Sequence, residues 1–204
     1  MTAISLIFFL ALACLTFFPE DAVASERIKR QATSTICPTS TAVNVDDIGR
    51  TLMLDVHNQR RIAAARGLVK NGKNTYNCPR AANMMEMEYD CTLETDAQAI
   101  ASTCRTTVTP AAQRTDGELL YVANEQIGTI GSSSIVFSRA ADSWWGEIST
   151  NGINQKMLYN NYFATKPRSP TSFTQMAWAS SYKIGCGIGD CGTNTVVVCR
   201  YREK

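Results

Sequence analysis

The chain has 204 residues, a formal net charge of +2, and 45% hydrophobic against 19% charged residues. These values exclude a disordered, fibrous or coiled-coil polymer and fit one globular domain large enough to bury its own core. Charge this mild, without a run of Lys or Arg, argues against a nucleic-acid partner. At the N-terminus an apolar run at 4–18 leads through Pro19-Glu20-Asp21 to the small-residue frame Ala22-Val23-Ala24. That pattern predicts a secretory signal peptide over residues 1–24, cut after Ala24. The run is too short to cross a bilayer comfortably and no second one follows, so no integral membrane segment is expected after its removal. Lys29-Arg30 offers a further dibasic processing site that would leave Gln31 as the new terminus. Cys14 departs with the signal, and Cys37, Cys78, Cys91, Cys104, Cys186, Cys191 and Cys199 remain. Such cysteine usage fits a disulfide scaffold in an oxidising, extracellular setting. Their number is odd, so one thiol is free, bonds between chains, or lacks its partner within this sequence.

Residues 31–45 are Thr/Ser-rich with Pro38, and 25–45 reads as an extended lead-in tethered by Cys37. Asp46 or Asp47 caps a first helix that puts Ile48, Leu52, Val56 and Ala63 on one face and stops at Gly67. His57, the only histidine, lies about 100° around that helix from the apolar stripe, at a border between core and groove. Asn71-Gly72-Lys73-Asn74 is a loop. Met84, Met85 and Met87 are core filler or an adaptable surface, the former being commoner. A second helix begins near Asp90, with Leu93, Ala97, Ala101 and Cys104 on one face. Along one continuous helix Cys91 and Cys104 stand too far apart to bond each other, so they need different partners.

A Thr-rich loop around Pro110 precedes a short strand at 118–122. Ser133 or Ser134 caps a third helix with Val136, Ala140 and Trp144 inside and Glu147 at its close. Adjacent Trp144 and Trp145 cannot both face inward. Residues 149–171 are irregular around the apolar knot Met157, Leu158, Tyr159 and Phe163. From Ser172 the chain supplies core candidates Phe173, Met176 and Trp178, and then a hairpin. Ile184, Cys186 and Ile188 alternate with Gly185 and Gly187, a turn follows at 189–194, and Val196, Val197, Val198 and Tyr201 form the second strand. Helices followed by strands, without a βαβ rhythm, predict a layered α+β fold.

Several segments together resemble the CAP superfamily, which includes cysteine-rich secretory proteins, antigen 5 and plant pathogenesis-related class 1 proteins. His57-Asn58-Gln59-Arg60 resembles the HNxxR helix, and Gly117-Glu118-Leu119 stands where G-E-N is usual. Ala141 to Glu147 resembles the helix ending in W-x-x-E, Phe173 to Trp178 the H-[FY]-T-Q-x-x-W segment, and Val196 to Tyr201 the closing V-V-x-C-x-Y strand. Tyr89-Asp90-Cys91 through Cys104 is most similar to the nematode branch, the activation-associated or venom-allergen-like secreted proteins. The resemblance implies an α-β-α sandwich over residues 46–204 with a three- or four-stranded antiparallel sheet and a shallow groove. It also implies bonds between Cys186 and Cys199 and between Cys104 and Cys191. It leaves Cys37, Cys78 and Cys91 unsettled; Cys37 is assigned to Cys91, and Cys78 is left odd. Family members usually continue beyond the position of Glu203-Lys204 with a Gly-Asn turn and a cysteine-bearing segment, so the domain is expected to be cut short there.

Carried over residue by residue, the family's groove tetrad falls on His57, Glu118, Glu147 and Ser172. Serine replaces the second histidine, and with one histidine in the chain a two-imidazole zinc site is impossible. His57, Glu118 and Glu147 would still offer a weak divalent-metal site, and no resident cofactor is expected. Leu119 in place of Asn makes the groove less polar. Ser172, His57 and a glutamate invite a triad reading, but no nucleophile elbow surrounds Ser172 and the resemblance puts no oxyanion hole beside it. The favoured role for His57 is a structural hydrogen bond to the glutamates that holds the first helix against the third. The chain therefore reads as a secreted, non-enzymatic binding protein that acts on a host or extracellular protein or receptor, with immune or haemostatic modulation implied by the family. The alternative is a carrier of sterol or fatty acid, and a weak hydrolase comes last.

Overall fold

The computed structural model describes residues 34–203. The signal segment 1–24, its cut after Ala24 and the pair Lys29-Arg30 lie outside the described residues. In chain order the elements are α1 (Asp47–Ala65), β1 (Glu88–Tyr89), α2 (Cys91–Ala101), β2 (Gly117–Ala123), α3 (Ile127–Ile130), α4 (Ser133–Thr150), α5 (Asn161–Thr165), α6 (Thr171–Met176), β3 (Lys183–Asp190) and β4 (Thr195–Arg202). They build the layered α+β sandwich, with α2 on one face of the sheet and α1, α4 and α6 on the other.

Strands follow the order β1-β3-β4-β2. The β3/β4 hairpin and the β2/β4 pair are antiparallel, but β1 runs parallel to β3, so the sheet is mixed rather than purely antiparallel. The reason is connectivity. β1 arrives after the long loop from α1 rather than through a hairpin, and nothing forces it to reverse against its neighbour. Alternation along β4 then assigns each side chain to a layer. Val196 and Val198 meet Ala97 and Ala101 of α2, whereas Val197, Cys199 and Tyr201 enter the larger core with Met53, Phe137, Ala140, Trp144 and Met176. Asp90 caps α2 by accepting from the amides of Thr92 and Leu93. This helix lies directly on β3 because Gly185, Gly187 and Gly189 present no side chain; a Cβ at any of them would run into the backbone of Asp90 and Glu94, of Gln98, or of Ala101.

Asp46 caps α1 by accepting from the Gly49 amide, and Gly67 at φ +69° carries the chain out of its C-terminal end. The buried stripe of α1, however, is Gly49, Arg50, Met53, His57, Arg61 and Ala64. The face expected inside lies at the margin of the core: Ile48 is 70% exposed, and Leu52, Val56 and Ala63 are partly buried against its edge. Three polar side chains occupy the inner stripe because each finds a complete set of partners there, which hydrophobic periodicity cannot register. Arg50 makes a two-point ion pair with Glu94, Nε to Oε2 at 2.7 Å and Nη2 to Oε1 at 2.8 Å, and both side chains are buried. Tyr89 and Ser40 add hydroxyl donors to the same carboxylate. Arg61 donates to the carbonyl oxygens of Met85, Met176, Trp178, Ala179 and Ser181 and so ties α1 to the segment around α6. Burial draws its guanidinium down to about 10, which leaves it charged at neutral pH.

α4, expected to be capped by Ser133 or Ser134, is capped by Ser132 and runs past Glu147 to Thr150. The 149–171 stretch, expected to be irregular, contains α5, capped by Asn160. Trp144 is buried and donates its indole N–H to the Leu120 carbonyl at 3.2 Å, while Trp145 packs edge-on against Phe173 under the Arg60 guanidinium. Cys37 bonds to Cys91, Cys104 to Cys191 and Cys186 to Cys199; Cys78 keeps a buried thiol.

Candidate functional site

His57 is fully buried in the core beneath the sheet, not at a groove border. Its Nδ1 lies 2.8 Å from the Met53 carbonyl and its Nε2 2.9 Å from the Tyr201 hydroxyl. A carbonyl only accepts, so Nδ1 carries the proton and Nε2 accepts from Tyr201. Burial pushes the imidazole from 6.5 down to about 3, with Arg60 and Arg61 pushing the same way, so it is neutral in ordinary buffers. Its partners are a carbonyl and a tyrosine rather than the glutamates, and it fastens α1 to β4 rather than to α4.

Glu118 opens β2 opposite Arg200 of β4, in the alternation that carries Val198 and faces away from Tyr201. The sheet therefore stands between the Glu118 and His57 side chains. Both Glu118 oxygens are fully subscribed: one accepts from the Thr109 amide at 2.6 Å and Arg105 at 3.2 Å, the other from the Thr109 hydroxyl and Arg200, each at 2.8 Å. Burial alone would raise this carboxyl, but the two Thr109 bonds and Arg200 outweigh it and hold it below the ordinary value. Glu147 serves a third purpose. It accepts from the Ser172 hydroxyl at 2.7 Å and from the amides of Ser172 and Phe173 at 2.8 and 3.3 Å, closing the start of α6. Leu119 points into the main core, so it does not alter the polarity of a groove.

These positions do not fit a divalent cation. One at Glu118 would have to expel two threonine donors and stand beside two guanidinium groups, and no imidazole faces it. Among the described residues no three of His, Cys, Asp and Glu converge as metal ligands. No imidazole faces the Ser172 hydroxyl, which donates to Glu147, since the one histidine is committed to Met53 and Tyr201.

Among the cavities of the described residues, one of about 520 Å³ lies between the end of α1, the loop at 78–84, the loop at 153–163 and the α6 segment. Met84, Met157, Leu158, Phe163, Phe173 and Trp178 supply its apolar walls. Trp178, expected in the core, is half-exposed and meets Tyr159 edge-on at 5.6 Å. Among the described residues Arg80 and Lys156 are the charged side chains along the lining, and the Cys78 thiol forms part of it. The apolar knot at 157–163 was the one sequence signal for this cavity, because its walls come from segments scattered over more than a hundred residues. Arg61, Arg105 and Arg200, which decide how the tetrad positions are used, gave no sequence signal as isolated arginines.

A disulfide-braced α-β-α sandwich of this topology defines a CAP-type domain. The chain belongs to the Cysteine-rich secretory protein family, CAP, which residues 54–201 match. It is 30% identical over 189 residues to Ancylostoma secreted protein of Ancylostoma caninum, covering 89% of this chain and 42% of that protein. With Hookworm platelet inhibitor 1, also of Ancylostoma caninum, it shares 29% identity over 157 residues, 77% of this chain and 64% of that one. The chain thus spans less than two thirds of either relative. Among solved structures, Na-ASP-1 superimposes with a TM-score of 0.73 at 30% identity over 83% of this chain and 41% of its own. NaASP2, solved with Zn2+, gives 0.70 at 29% identity over 81% and 83%.

Proposed function

We propose that this chain is a secreted, non-enzymatic binding protein whose target is an extracellular protein or receptor. The carrying observation is that each acid or base at the tetrad positions is consumed by the fold: His57 by Met53 and Tyr201, Glu118 by Thr109, Arg105 and Arg200, and Glu147 by Ser172. His57 and Glu118 so engaged have no free proton or lone pair to lend to a substrate, and Glu147 commits three of about four acceptor sites to the start of α6, which weighs against a hydrolase. Zn2+ accompanies NaASP2, but the donor set here supports a domain without a resident metal. Three disulfides support export, and a relative named as a platelet inhibitor supports an extracellular protein target of the haemostatic or immune kind. The test is binding of the fluorescently labelled protein to intact platelets and leukocytes. Saturable binding, displaced by unlabelled protein and abolished by stripping surface proteins with protease, is expected; its absence from both cell types sinks the reading.

A second reading, carriage of a sterol or fatty acid, is favoured by the apolar cavity of about 520 Å³, a volume suited to a small lipid. Organic extracts of protein purified from a lipid-containing host should then contain one dominant lipid near molar equivalence. Extracts without it count against carriage.

A further inference from the structure

Two long stretches of the sequence carry no acidic residue. None occurs between Asp55 and Glu86, and none between Glu147 and Asp190. The fold brings these stretches together. Asn71 clasps Ile153, its Nδ2 donating to the Ile153 carbonyl at 2.8 Å and its Oδ1 accepting from the Ile153 amide at 2.7 Å. Gly72 lies so near Gly152 that a Cβ there would strike the Gly152 backbone. Cys78, Pro79 and Arg80 then face Lys156, Met157 and Leu158 across the cavity. The joined loops expose Arg66, Lys70, Lys73, Arg80, Lys156, Lys166 and Arg168, with no carboxylate in either loop to neutralise them. The whole chain is only +2, whereas these loops by themselves carry seven exposed cations and no acid, a strongly positive local balance.

Charge is not the only unusual property of this end. Leu68 is 64% exposed, Leu158 54%, Tyr159 48% and Tyr162 76%. Leucine and tyrosine standing out among Lys and Arg are what a surface needs to settle at a lipid-water boundary: the apolar tips enter the headgroup layer while the cations meet anionic headgroups. A purely polyanionic partner such as a sulfated polysaccharide would read the cations and leave the leucines and tyrosines in water. We propose that this end of the protein, the joined loops at 66–80 and 153–168, docks on an anionic lipid surface. Docking is independent of a protein target and of whether a lipid ever fills the cavity.

Flotation with vesicles of phosphatidylcholine alone, or with about 30% phosphatidylserine, tests it. The full protein is expected to bind the anionic vesicles at least about tenfold more tightly than neutral ones, and to release as salt screens the cations. The triple variant Lys156→Glu, Lys166→Glu, Arg168→Glu should lose at least about tenfold on anionic vesicles. The pair Leu158→Ser, Tyr162→Ser should weaken binding while keeping its salt dependence. All five side chains are exposed, so unchanged melting curves serve as the folding control. Equal affinity for both vesicle types, or anionic binding untouched by the charge variant, overturns the proposal. So does binding to soluble heparin, unaffected by Leu158→Ser, Tyr162→Ser, combined with failure on vesicles, which would make the face a polyanion site. Vesicles carry no protein, so either outcome leaves the cell-binding test of a protein target standing by itself.

Discussion

Mild acid should destabilise this protein through His57 before its carboxylates titrate. The imidazole is fully buried, and its Nε2 accepts from Tyr201, so a second proton would place an uncompensated charge in the core. Its value falls from 6.5 in the unfolded chain to about 3 in the folded one. Between those limits the unfolded chain binds the proton and the native state does not. Stability is therefore complete above pH 6.5 and is lost steadily as pH falls towards 3. Each pH unit is worth about 1.4 kcal/mol, so the loss from pH 6.5 to about 4.5 is about 2 kcal/mol. In a domain of this size that lowers Tm by roughly 4–8 °C. Little else contributes between pH 6.5 and 4.5, because the chain has one histidine and the lowered carboxyls, Asp47, Asp90 and Glu118, act only below their unfolded values of 3.8 to 4.5. Urea unfolding across this range provides the assay, with His57→Gln as the comparison, since its amide can both donate to Met53 and accept from Tyr201. The variant should show a flat profile where wild type slopes. A wild-type profile that is already flat, or an equal slope in both proteins, refutes the reasoning.

Arg61→Met takes a donor from five carbonyl oxygens, of which those of Trp178 and Ala179 keep an amide donor, and a loss of about 3 kcal/mol or more is expected in chemical denaturation; a loss under about 1 kcal/mol would mean that water replaces it. Glu94→Gln leaves partly exposed Asp47 as the remaining counter-ion of buried Arg50 and should cost about 2–3 kcal/mol, whereas replacing both Arg50 and Glu94 with Leu and Met should cost clearly less, as a double-mutant cycle would show. Calorimetric titration with zinc should give no saturable heat for wild type; stoichiometric binding that disappears in Glu118→Gln would overturn the assignment of Arg200 and Thr109 as the permanent occupants of that carboxylate.

The terminal hairpin was legible because both of its signals are local: the period-two alternation of 184–188 and the apolar run at 196–198 are written in neighbouring residues. The starts of α1 at Asp46 or Asp47 and of α2 near Asp90 were legible for the same reason, since a cap is a contact between residues two or three apart, and the structure gives the caps to Asp46 and Asp90. The face of α1 was not. A helix carrying Ile48, Leu52 and Val56 on one side and Arg50, His57 and Arg61 on another reads as amphipathic in the usual sense, yet the second side is inside. What reverses it is that Glu94, Tyr201 and the carbonyls around α6 lie far along the chain and meet α1 only after folding.

The same division runs through the candidate site. Sequence alone determined that one histidine cannot make a two-imidazole metal site, because composition sets an upper limit that no fold can exceed. Only the tertiary structure decided that His57 and Glu118 are separated by the sheet, because strand alternation assigns opposite faces to Arg200 and Tyr201 one residue apart. The positive end of the molecule shows both halves at once: the acid-free stretches are plain in the sequence, but their union depends on the Asn71–Ile153 clasp, a contact across 82 residues whose strength lies in satisfying buried polar groups rather than in any local pattern.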